Sequence, residues 1–149
     1  MFLDKSTFTT VIDSTPLVSI DLVVSNENGE VLLGKRVNRP AKGYWFVPGG
    51  RIQKNESLAK AFLRLTQEEL GKQYSIKEAT LQGPYDHFYD DFVFGDQVST
   101  HYVAIAYQLQ VLQSELELPL GQHNEYAWLA VSELTKSSTV HQHTKLYFL

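Results

Sequence analysis

The amino-acid sequence predicts a mixed α/β fold in which helices cover a mixed β-sheet. Most apolar segments are short, and they are either rich in β-branched residues or alternate with polar residues, as strands do. One strongly amphipathic segment in the middle of the chain predicts a helix, and weaker helical segments lie near the end. The length of 149 residues suits one domain that covers residues 1–149.

The first third of the chain predicts three strands. The segment PLVSIDLVVS is rich in β-branched residues, and the Asn-Gly pair after it is a strong hairpin signal. Pro48 and two glycines are expected to end a short apolar strand. The predicted order is strand 16–25, turn 26–30, strand 31–36, loop 37–43 and strand 44–50.

The segment NESLAKAFLRLTQEELG, residues 55–71, predicts the central helix. Asn55 can cap its N-terminus, because its side-chain oxygen can accept from an otherwise unpaired backbone N–H. Gly71 suits the left-handed conformation that commonly ends a helix. Apolar side chains recur on one face, at Leu58, Phe62 and Leu65.

The rest of the chain predicts more strands and a helical end. Alternation of apolar and polar side chains is clearest in THYVAIAYQLQVL. The predicted order is strand 75–85, strand and turn 87–99, strand 100–112, loop 113–125, strand turning to helix 126–134, and a short helix within 139–149.

Composition argues against several classes of protein. The net charge is −4 with both signs interspersed, which weighs against a nucleic-acid or membrane surface. There is no cysteine and therefore no disulfide framework, which fits the cytoplasm. The first residues lack the layout of a signal peptide, and no apolar run is long enough to span a bilayer.

Glu68 and Glu69 lie in the last turn of the predicted helix, where the helix dipole disfavours negative charge. They share a face with position 65, and two carboxylates there form an oxygen-rich patch of the kind that Mg²⁺ prefers. A glycine carbonyl from the preceding turn could add a ligand. The plainer interpretation is a pair of solvated charges on a surface helix.

The spacing of these residues resembles the Nudix box. The matching residues are Gly50, Glu56, Arg64, Glu68, Glu69 and Gly71, on the predicted loop and helix. The resemblance implies the α/β/α Nudix sandwich with a mixed β-sheet. It also implies a divalent-cation-dependent hydrolase that acts on nucleoside diphosphates linked to another group.

Two positions depart from the box. Leu65 stands where the family has Glu, and Thr66 stands where it has an aliphatic residue. Loss of a carboxylate from the metal face should impair a site built for several Mg²⁺ ions that activate water against phosphorus. Either the activity is lost, or the chemistry requires less metal.

The chain is similar over nearly its full length to the GDP-mannose mannosyl hydrolase subfamily, which lacks this Glu. The similar segments are PLVSIDLVV, KRVNRPAKGYWFVPGGRI, YDHFYDDFVFGDQVSTHYVAIAYQLQV and LGQHNEYAWL. The resemblance implies hydrolysis at the anomeric carbon of GDP-mannose, with inversion, to GDP and free hexose. A diphosphate leaving group needs charge neutralisation rather than protonation, so Mg²⁺, arginines and one general base suffice.

By this resemblance the metal ligands are the Gly49 carbonyl, Glu69 and Gln122, which would hold Mg²⁺ or, as a substitute, Mn²⁺. Gln122 alone would more often be a surface loop residue. Glu56 could stabilise the helix start and pair with Arg64. Whether Glu56 and Glu68 are structural or catalytic stays open at this point.

His123 is the candidate general base, since histidine titrates near neutral pH and this one follows Gln122 in a loop. The plainer interpretation is a solvated loop histidine. His87 would contact the diphosphate or assist its departure, although a histidine within an aromatic cluster is nearly as common. His101, His141 and His143 are expected to be structural.

Further side chains are assigned to substrate. Arg36, Arg51 and Arg64 are candidates for binding the diphosphate, because guanidinium binds phosphate as a fork, and Arg64 could instead be scaffolding. Tyr102 could hydrogen-bond a phosphate or pack in the core. Asp21 and Tyr89 could contact the sugar or nucleotide, and Asp21 could instead face solvent on an edge strand.

Two other functions stay open at this level: a Nudix pyrophosphohydrolase that cleaves at phosphorus, and a non-catalytic nucleotide-binding module. The sequence does not decide between GDP-mannose and GDP-glucose. The resemblance also implies a homodimer.

Overall fold

The computed structural model describes residues 2–120 and 123–149, and the side chains of residues 123 and 124 lie outside that description. Seven strands and four α-helices are formed by these residues. They are α1 Lys5–Ser14, β1 Leu17–Ser25, β2 Val31–Arg36, β3 Trp45–Phe46, β4 Gly49–Arg51, α2 Leu58–Leu70, β5 Thr80–Tyr89, β6 Thr100–Gln110, β7 His123–Leu129, α3 Val131–Leu134 and α4 Gln142–Lys145. Short 3₁₀ turns cover Ile76–Glu78, Gln113–Glu115 and Leu146–Phe148.

The strands form one mixed sheet in the order β3-β2-β1-β6-β5, with β4 paired to β1 and β7 paired to β2. The pairing of β1 with β6 is parallel, and the other pairings are antiparallel. β1 and β2 meet only at Ser25 and Val31. Beyond that point the two strands diverge. β4 then pairs with the free edge of β1, and β3 pairs with β2. The Asn-Gly turn therefore forms, but the hairpin opens, and the glycines of β4 lie in the opening.

Two apolar clusters cover the two faces of the sheet, because successive side chains of a strand point to opposite faces. On one face Ile20, Leu22 and Val24 of β1 pack against Phe62 and Leu65 of α2. On the other face the second cluster contains Val23, Val31, Leu33, Leu134, Val140 and Tyr147, so α3 and the C-terminal segment cover it. This arrangement confirms the predicted helix–sheet–helix sandwich with a mixed sheet.

The central helix begins later than predicted. Ser57 is the N-cap, and its hydroxyl accepts from the backbone N–H of Lys60 at 3.1 Å. Asn55 lies before the helix with φ +67°, a left-handed conformation that Asn tolerates better than most residues. The prediction of Asn55 as the cap is therefore wrong, since both residue types can cap and the periodicity alone does not place the first turn. Gly71 ends the helix with φ +74°, as predicted.

Two other segments differ from the predictions. The glycines at 49 and 50 belong to β4 instead of ending a strand, because this short strand pairs with β1 through backbone groups alone. Ile76–Glu78 form a 3₁₀ turn, which Ser75 and Glu78 cap with a capping box, so β5 begins only at Thr80.

Helix α1 was not predicted, because Ser and Thr fill much of it and favour helix interiors poorly. Asp4 caps it by accepting from the N–H of Thr7 at 2.8 Å. The apolar side chains Phe8, Val11 and Ile12 pack together near the sheet. Their spacing of i, i+3 and i+4 after an Asp was the available signal. None of the helices described has the length and apolar character needed to cross a membrane.

Candidate active site

A cavity of about 280 Å³ lies where β1, β4, β5 and β6 meet the N-terminal helix and the loop after β2. It brings together most of the side chains that were predicted to form the site. The predicted residues that line it are Asp21, Arg36, Gly49, Arg51, His87, Tyr89 and Tyr102. These residues are spread over more than eighty positions of the sequence, and the sheet register collects them.

The register explains this collection. Asp21 of β1 lies directly opposite Gly49 of β4, and His87 of β5 lies opposite Tyr102 of β6. Opposite residues of paired strands share a face of the sheet. Ala104 and Ala106 of β6 lie on this same face, opposite Ser19 and Asp21 of β1, and both are fully buried. Their small side chains leave room for a cavity.

Glu69 lies behind the glycines of β4. Its side chain is only 7% exposed, and the backbone N–H of Gly49 lies close enough to its carboxylate to favour the charged form. Burial, together with the negative charge of Glu68, raises the pKa of Glu69 to about 7, although Gly49 and the positive charge of Arg36 oppose the shift. A buried carboxylate of this kind is stabilised when a cation binds it.

The Gly49 carbonyl lies on the same edge of β4 as this N–H. Two hydrogen bonds connect β1 and β4, from Leu22 N–H to Pro48 O and from Ile52 N–H to Val18 O. They identify Leu22 with Pro48, and Val18 with Ile52, as hydrogen-bonded pairs of this antiparallel ladder. Asp21 and Gly49 form a pair of the other kind, so both backbone groups of Gly49 point away from β1. A Cβ at position 49 would lie 2.4 Å from Ile20 O, so the close approach of β4 to β1 requires glycine at this position.

The two oxygen donors fit a hard divalent cation such as Mg²⁺, which takes carboxylate and carbonyl ligands and completes its shell with water or phosphate. Among the side chains that the structure describes, no group of three His, Asp or Glu residues is arranged to hold a metal. The third predicted ligand, Gln122, lies outside the described residues.

Leu65 occupies the position of the missing box carboxylate. It is 2% exposed and belongs to the apolar cluster under α2. Its Cδ2 atom lies 2.5 Å from the place where a Cβ on Gly50 would stand, so leucine and glycine pack directly on each other. The residue that departs from the box is therefore part of the hydrophobic core and adds no charge to the metal face.

Arg64 joins the remaining box carboxylates away from the cavity. Its Nε and Nη2 atoms donate to Glu56 at 2.7 and 2.9 Å, and its Nη1 donates to Glu68 at 3.0 Å. Nη2 also donates to the carbonyl of Arg51 at 2.9 Å. The Arg64 guanidinium lowers the pKa of Glu56 to about 2. Arg64 does not line the cavity, and its hydrogen bond to the carbonyl of Arg51 links α2 to β4.

Arg36, Arg39 and Arg51 line the cavity, and the first and last of them were predicted to bind the diphosphate. Arg36 donates from Nε to the carbonyl of Pro40 at 3.0 Å, and its guanidinium carbon lies 5.7 Å from the centre of the Phe46 ring. The guanidinium carbon of Arg51 lies 5.0 Å from the centre of the Phe8 ring. Both guanidinium groups thus make cation–π contacts with aromatic rings, and guanidinium groups held in this way can bind phosphate oxygens.

Asp21, His87 and Tyr147 are hydrogen-bonded on another wall of the cavity. The Tyr147 hydroxyl donates to Oδ2 of Asp21 and lies 3.1 Å from Nε2 of His87. Burial raises the pKa of Asp21 to about 6 and lowers that of His87 to about 3. Asp21 therefore does not face bulk solvent on an edge strand, because β1 lies between β4 and β6. Tyr147 was missed, since 126 residues separate it from Asp21.

Three histidine rings lie together beside this wall. His87 stacks on His143 with ring centres 4.4 Å apart, and His141 stacks on Phe46 at 4.6 Å. His143 Nε2 lies 3.0 Å from the carbonyl of Phe88, and His141 Nδ1 accepts from the backbone N–H of His143. His141 and His143 are held by these contacts, and their structural role stays a prediction. His101 lies apart and contacts Asp86 at 3.1 Å.

The candidate base lies at the start of β7. The backbone of His123 pairs with Arg36, which places this position beside a residue that lines the cavity. The His123 side chain is outside the described residues, so its role as base stays a prediction. Tyr89 and Tyr102 line the cavity, and burial raises the pKa of both, which keeps both hydroxyls protonated at neutral pH.

Known proteins are similar to this chain in sequence. Residues 15–148 match the NUDIX domain family. The chain is 43% identical over 115 residues to the low-salt glycan biosynthesis protein Agl8 of Haloferax volcanii, covering 77% of this chain and 71% of that protein. It is 31% identical over 102 residues to the ADP-ribose pyrophosphatase of Methanocaldococcus jannaschii, covering 68% of this chain and 55% of that protein.

A solved structure shows the same fold. The MutT protein of Methanosarcina mazei Go1 superposes with a TM-score of 0.72 at 23% identity, covering 91% of this chain and 92% of that chain. At this identity the likeness extends to the fold alone.

Proposed function

Because the chain belongs to the Nudix hydrolase family, we propose that it hydrolyses GDP-mannose, or a related GDP-hexose such as GDP-glucose, to GDP and free hexose. Members of this family are hydrolases that bind nucleoside diphosphate substrates and generally use divalent metals such as Mg²⁺. The proposal is narrower, since it names the sugar nucleotide and places the cleaved bond at carbon.

The observation that carries the proposal is the packing of Leu65 on Gly50. It leaves Glu69 as the buried carboxylate of the α2 face, because Glu68 is exposed and paired with Arg64. One carboxylate and one carbonyl suit a site with few cations. Attack at phosphorus by a metal-activated water favours more carboxylates and more than one metal, whereas departure of a diphosphate from carbon requires mainly charge neutralisation.

The cavity offers the two kinds of contact that a sugar diphosphate needs. Arg36 and Arg51 supply guanidinium groups for the diphosphate. Asp21 supplies a carboxylate that can accept from sugar hydroxyls, and Tyr89 adds a hydroxyl nearby. The similarity to a glycan biosynthesis protein supports chemistry on an activated sugar.

In the proposed reaction, His123 takes a proton from water while the water oxygen bonds to the anomeric carbon. The bond from that carbon to the diphosphate oxygen breaks, and its electron pair leaves with GDP. Arg36 and Arg51 stabilise the charge that develops on the diphosphate, and Tyr102 can donate to it. A divalent cation held by Glu69, the Gly49 carbonyl and Gln122 would supply further charge neutralisation. Because water attacks opposite the leaving group, the configuration inverts.

His87 is better suited to hydrogen-bond Tyr147, which donates to Asp21, than to protonate the leaving group. Burial lowers its pKa to about 3, so the ring is neutral at physiological pH. The diphosphate does not require a proton on departure.

Product analysis tests the proposal. With GDP-mannose and Mg²⁺ we expect GDP and free mannose, and ¹H NMR at early times should show the β anomer from the α-linked donor. Formation of GMP and mannose 1-phosphate would instead support cleavage at phosphorus, the alternative favoured by the similarity to an ADP-ribose pyrophosphatase.

The assembly is also part of the proposal. We expect a homodimer, as the subfamily resemblance implies. Sedimentation equilibrium should give twice the chain mass of 17.0 kDa, and a mass of one chain at micromolar concentration would contradict this expectation.

A further inference from the structure

The C-terminal segment forms the back of the cavity wall and is held there by several hydrogen bonds. Gln82 donates from Nε2 to the carbonyl of Tyr147 at 2.8 Å, and Thr144 Oγ1 accepts from the N–H of Val47 at 3.3 Å. The Tyr147 side chain is 5% exposed and packs edge-on against Tyr85, with ring centres 4.8 Å apart. Its hydroxyl is therefore held in place by backbone and ring contacts that do not involve the substrate.

The direction of each hydrogen bond follows from the groups present. An ionised carboxylate can only accept, so the Tyr147 proton points to Asp21. The Tyr147 oxygen must then accept from His87, whose Nε2 lies 3.1 Å away. A neutral imidazole carries one ring proton, so Nε2 is protonated and Nδ1 is not. The chain of bonds runs from His87 through Tyr147 to Asp21.

One oxygen of the Asp21 carboxylate is thereby held by a hydrogen bond, and the other packs against the backbone of Gly49. Oδ2 accepts from Tyr147, and Oδ1 lies against Gly49, where an added Cβ would be 2.6 Å away. A side chain held by packing and by neighbouring hydrogen bonds presents its acceptor in one orientation, which lowers the entropy that substrate binding must remove.

We propose that Tyr147 is a positioning residue for GDP-hexose hydrolysis, which orients the Asp21 carboxylate for the sugar hydroxyls and fixes the tautomer of His87. The role rests on the proposed function, since it assigns the sugar to the Asp21 wall of the cavity. It also explains why a residue near the end of the chain reaches a carboxylate on the first strand of the sheet.

Tyr147→Phe removes the hydroxyl and keeps the ring. We expect kcat/KM for GDP-mannose to fall by about 10- to 100-fold, as for the loss of a hydrogen bond to a charged group. The inhibition constant of GDP, which lacks the sugar, should stay within about twofold. Tyr85→Phe is the matched control, since it also loses a hydroxyl hydrogen bond, from Gln82 at 2.9 Å, but lies outside the chain to Asp21. Equal losses in both variants would overturn the role.

A double-mutant cycle tests whether Tyr147 acts through Asp21. In the Asp21→Ala background, where Tyr147 has no side-chain acceptor left to orient at position 21, adding Tyr147→Phe should change kcat/KM by less than about twofold, and losses that multiply would overturn the proposal. The ¹⁵N spectrum of the wild-type imidazole rings gives a readout that needs no variant. It should show His87 protonated at Nε2, and protonation at Nδ1 would contradict the hydrogen-bond chain.

The same assays separate two failures. A wild-type protein with no turnover of any GDP-hexose would overturn the proposed function and, with it, the role of Tyr147. An active wild type with an unaffected Tyr147→Phe variant would overturn only the role of Tyr147.

Discussion

Replacing Glu69 with glutamine should stabilise the metal-free protein while abolishing its response to Mg²⁺. Burial raises the pKa of Glu69 from its ordinary value of 4.5 to about 7 in the folded state. As pH rises between these two values, the unfolded chain loses the proton first, so the free energy of unfolding falls. The difference between the two pKa values corresponds to a loss of about 3 kcal/mol, which is complete above pH 7.

The amide that Glu69→Gln introduces keeps the shape of the side chain but carries no charge. At pH 8 with EDTA we expect this variant to raise the free energy of unfolding by about 1–3 kcal/mol. At pH 4.5 the gain should shrink towards zero, because the native carboxyl is then largely protonated in the folded state. Saturating Mg²⁺ should stabilise only the wild type, and the variant should lose at least about 100-fold in kcat.

Urea unfolding followed by tryptophan fluorescence, with EDTA or Mg²⁺ at several pH values, measures these effects. Glu68→Gln is the matched control, since Glu68 is exposed and paired with Arg64, and its effect should stay within about 1 kcal/mol at every pH. A Glu69→Gln variant that is less stable than wild type at pH 8 in EDTA would refute the account of the buried carboxylate. Equal stabilisation of both proteins by Mg²⁺ would refute its role as a ligand.

Other substitutions test neighbouring parts of the account. His123→Gln should lower kcat by roughly 10²–10⁴-fold with little change in KM, and a near-normal rate in steady-state assays would refute the base. Leu65→Glu should destabilise the metal-free protein by about 2–5 kcal/mol in urea unfolding, whereas Leu65→Met should cost less than about 1.5 kcal/mol. Equal losses of stability in the two variants would contradict the burial of this position. Arg64→Lys should cost about 1–3 kcal/mol of stability and leave the GDP inhibition constant unchanged, and weaker GDP binding would show direct substrate contact. Burial lowers the pKa of His87 from 6.5 to about 3. The free energy of unfolding should therefore fall by about 3 kcal/mol between pH 6.5 and pH 4, because only the unfolded chain gains the proton. The His87→Gln variant lacks this loss, so a difference in stability between wild type and variant that does not change over this range would contradict the buried neutral ring.

The central motif could be predicted from the sequence because its information is local. The spacing from Gly50 to Gly71 places the box on one loop and one helix, and the mixed α/β class follows from the apolar patterns. Resemblance extended this to the residues on other strands. The structure then brought seven of the predicted side chains or backbone positions to one cavity, but it left Arg64 among the carboxylates of the box.

The missed features depend on contacts that no local pattern encodes. Tyr147 reaches Asp21 only because the C-terminal segment packs on the face of β1 that bears it. The sequence predicted a hairpin paired along its whole length, but β1 and β2 separate, and Gly49 and Gly50 of β4 pair with β1 instead. Helix α1 is rich in hydroxyl side chains, and its apolar side chains cluster with residues of β1 and β6.

Hydrolysis of GDP-mannose in ¹⁸O-labelled water, followed by mass spectrometry of the products, tests the central claim directly. If water attacks the anomeric carbon, the label appears in the free mannose and GDP stays unlabelled. Label in a phosphate group of the nucleotide product, or in the phosphate of mannose 1-phosphate, would show attack at phosphorus and contradict the account.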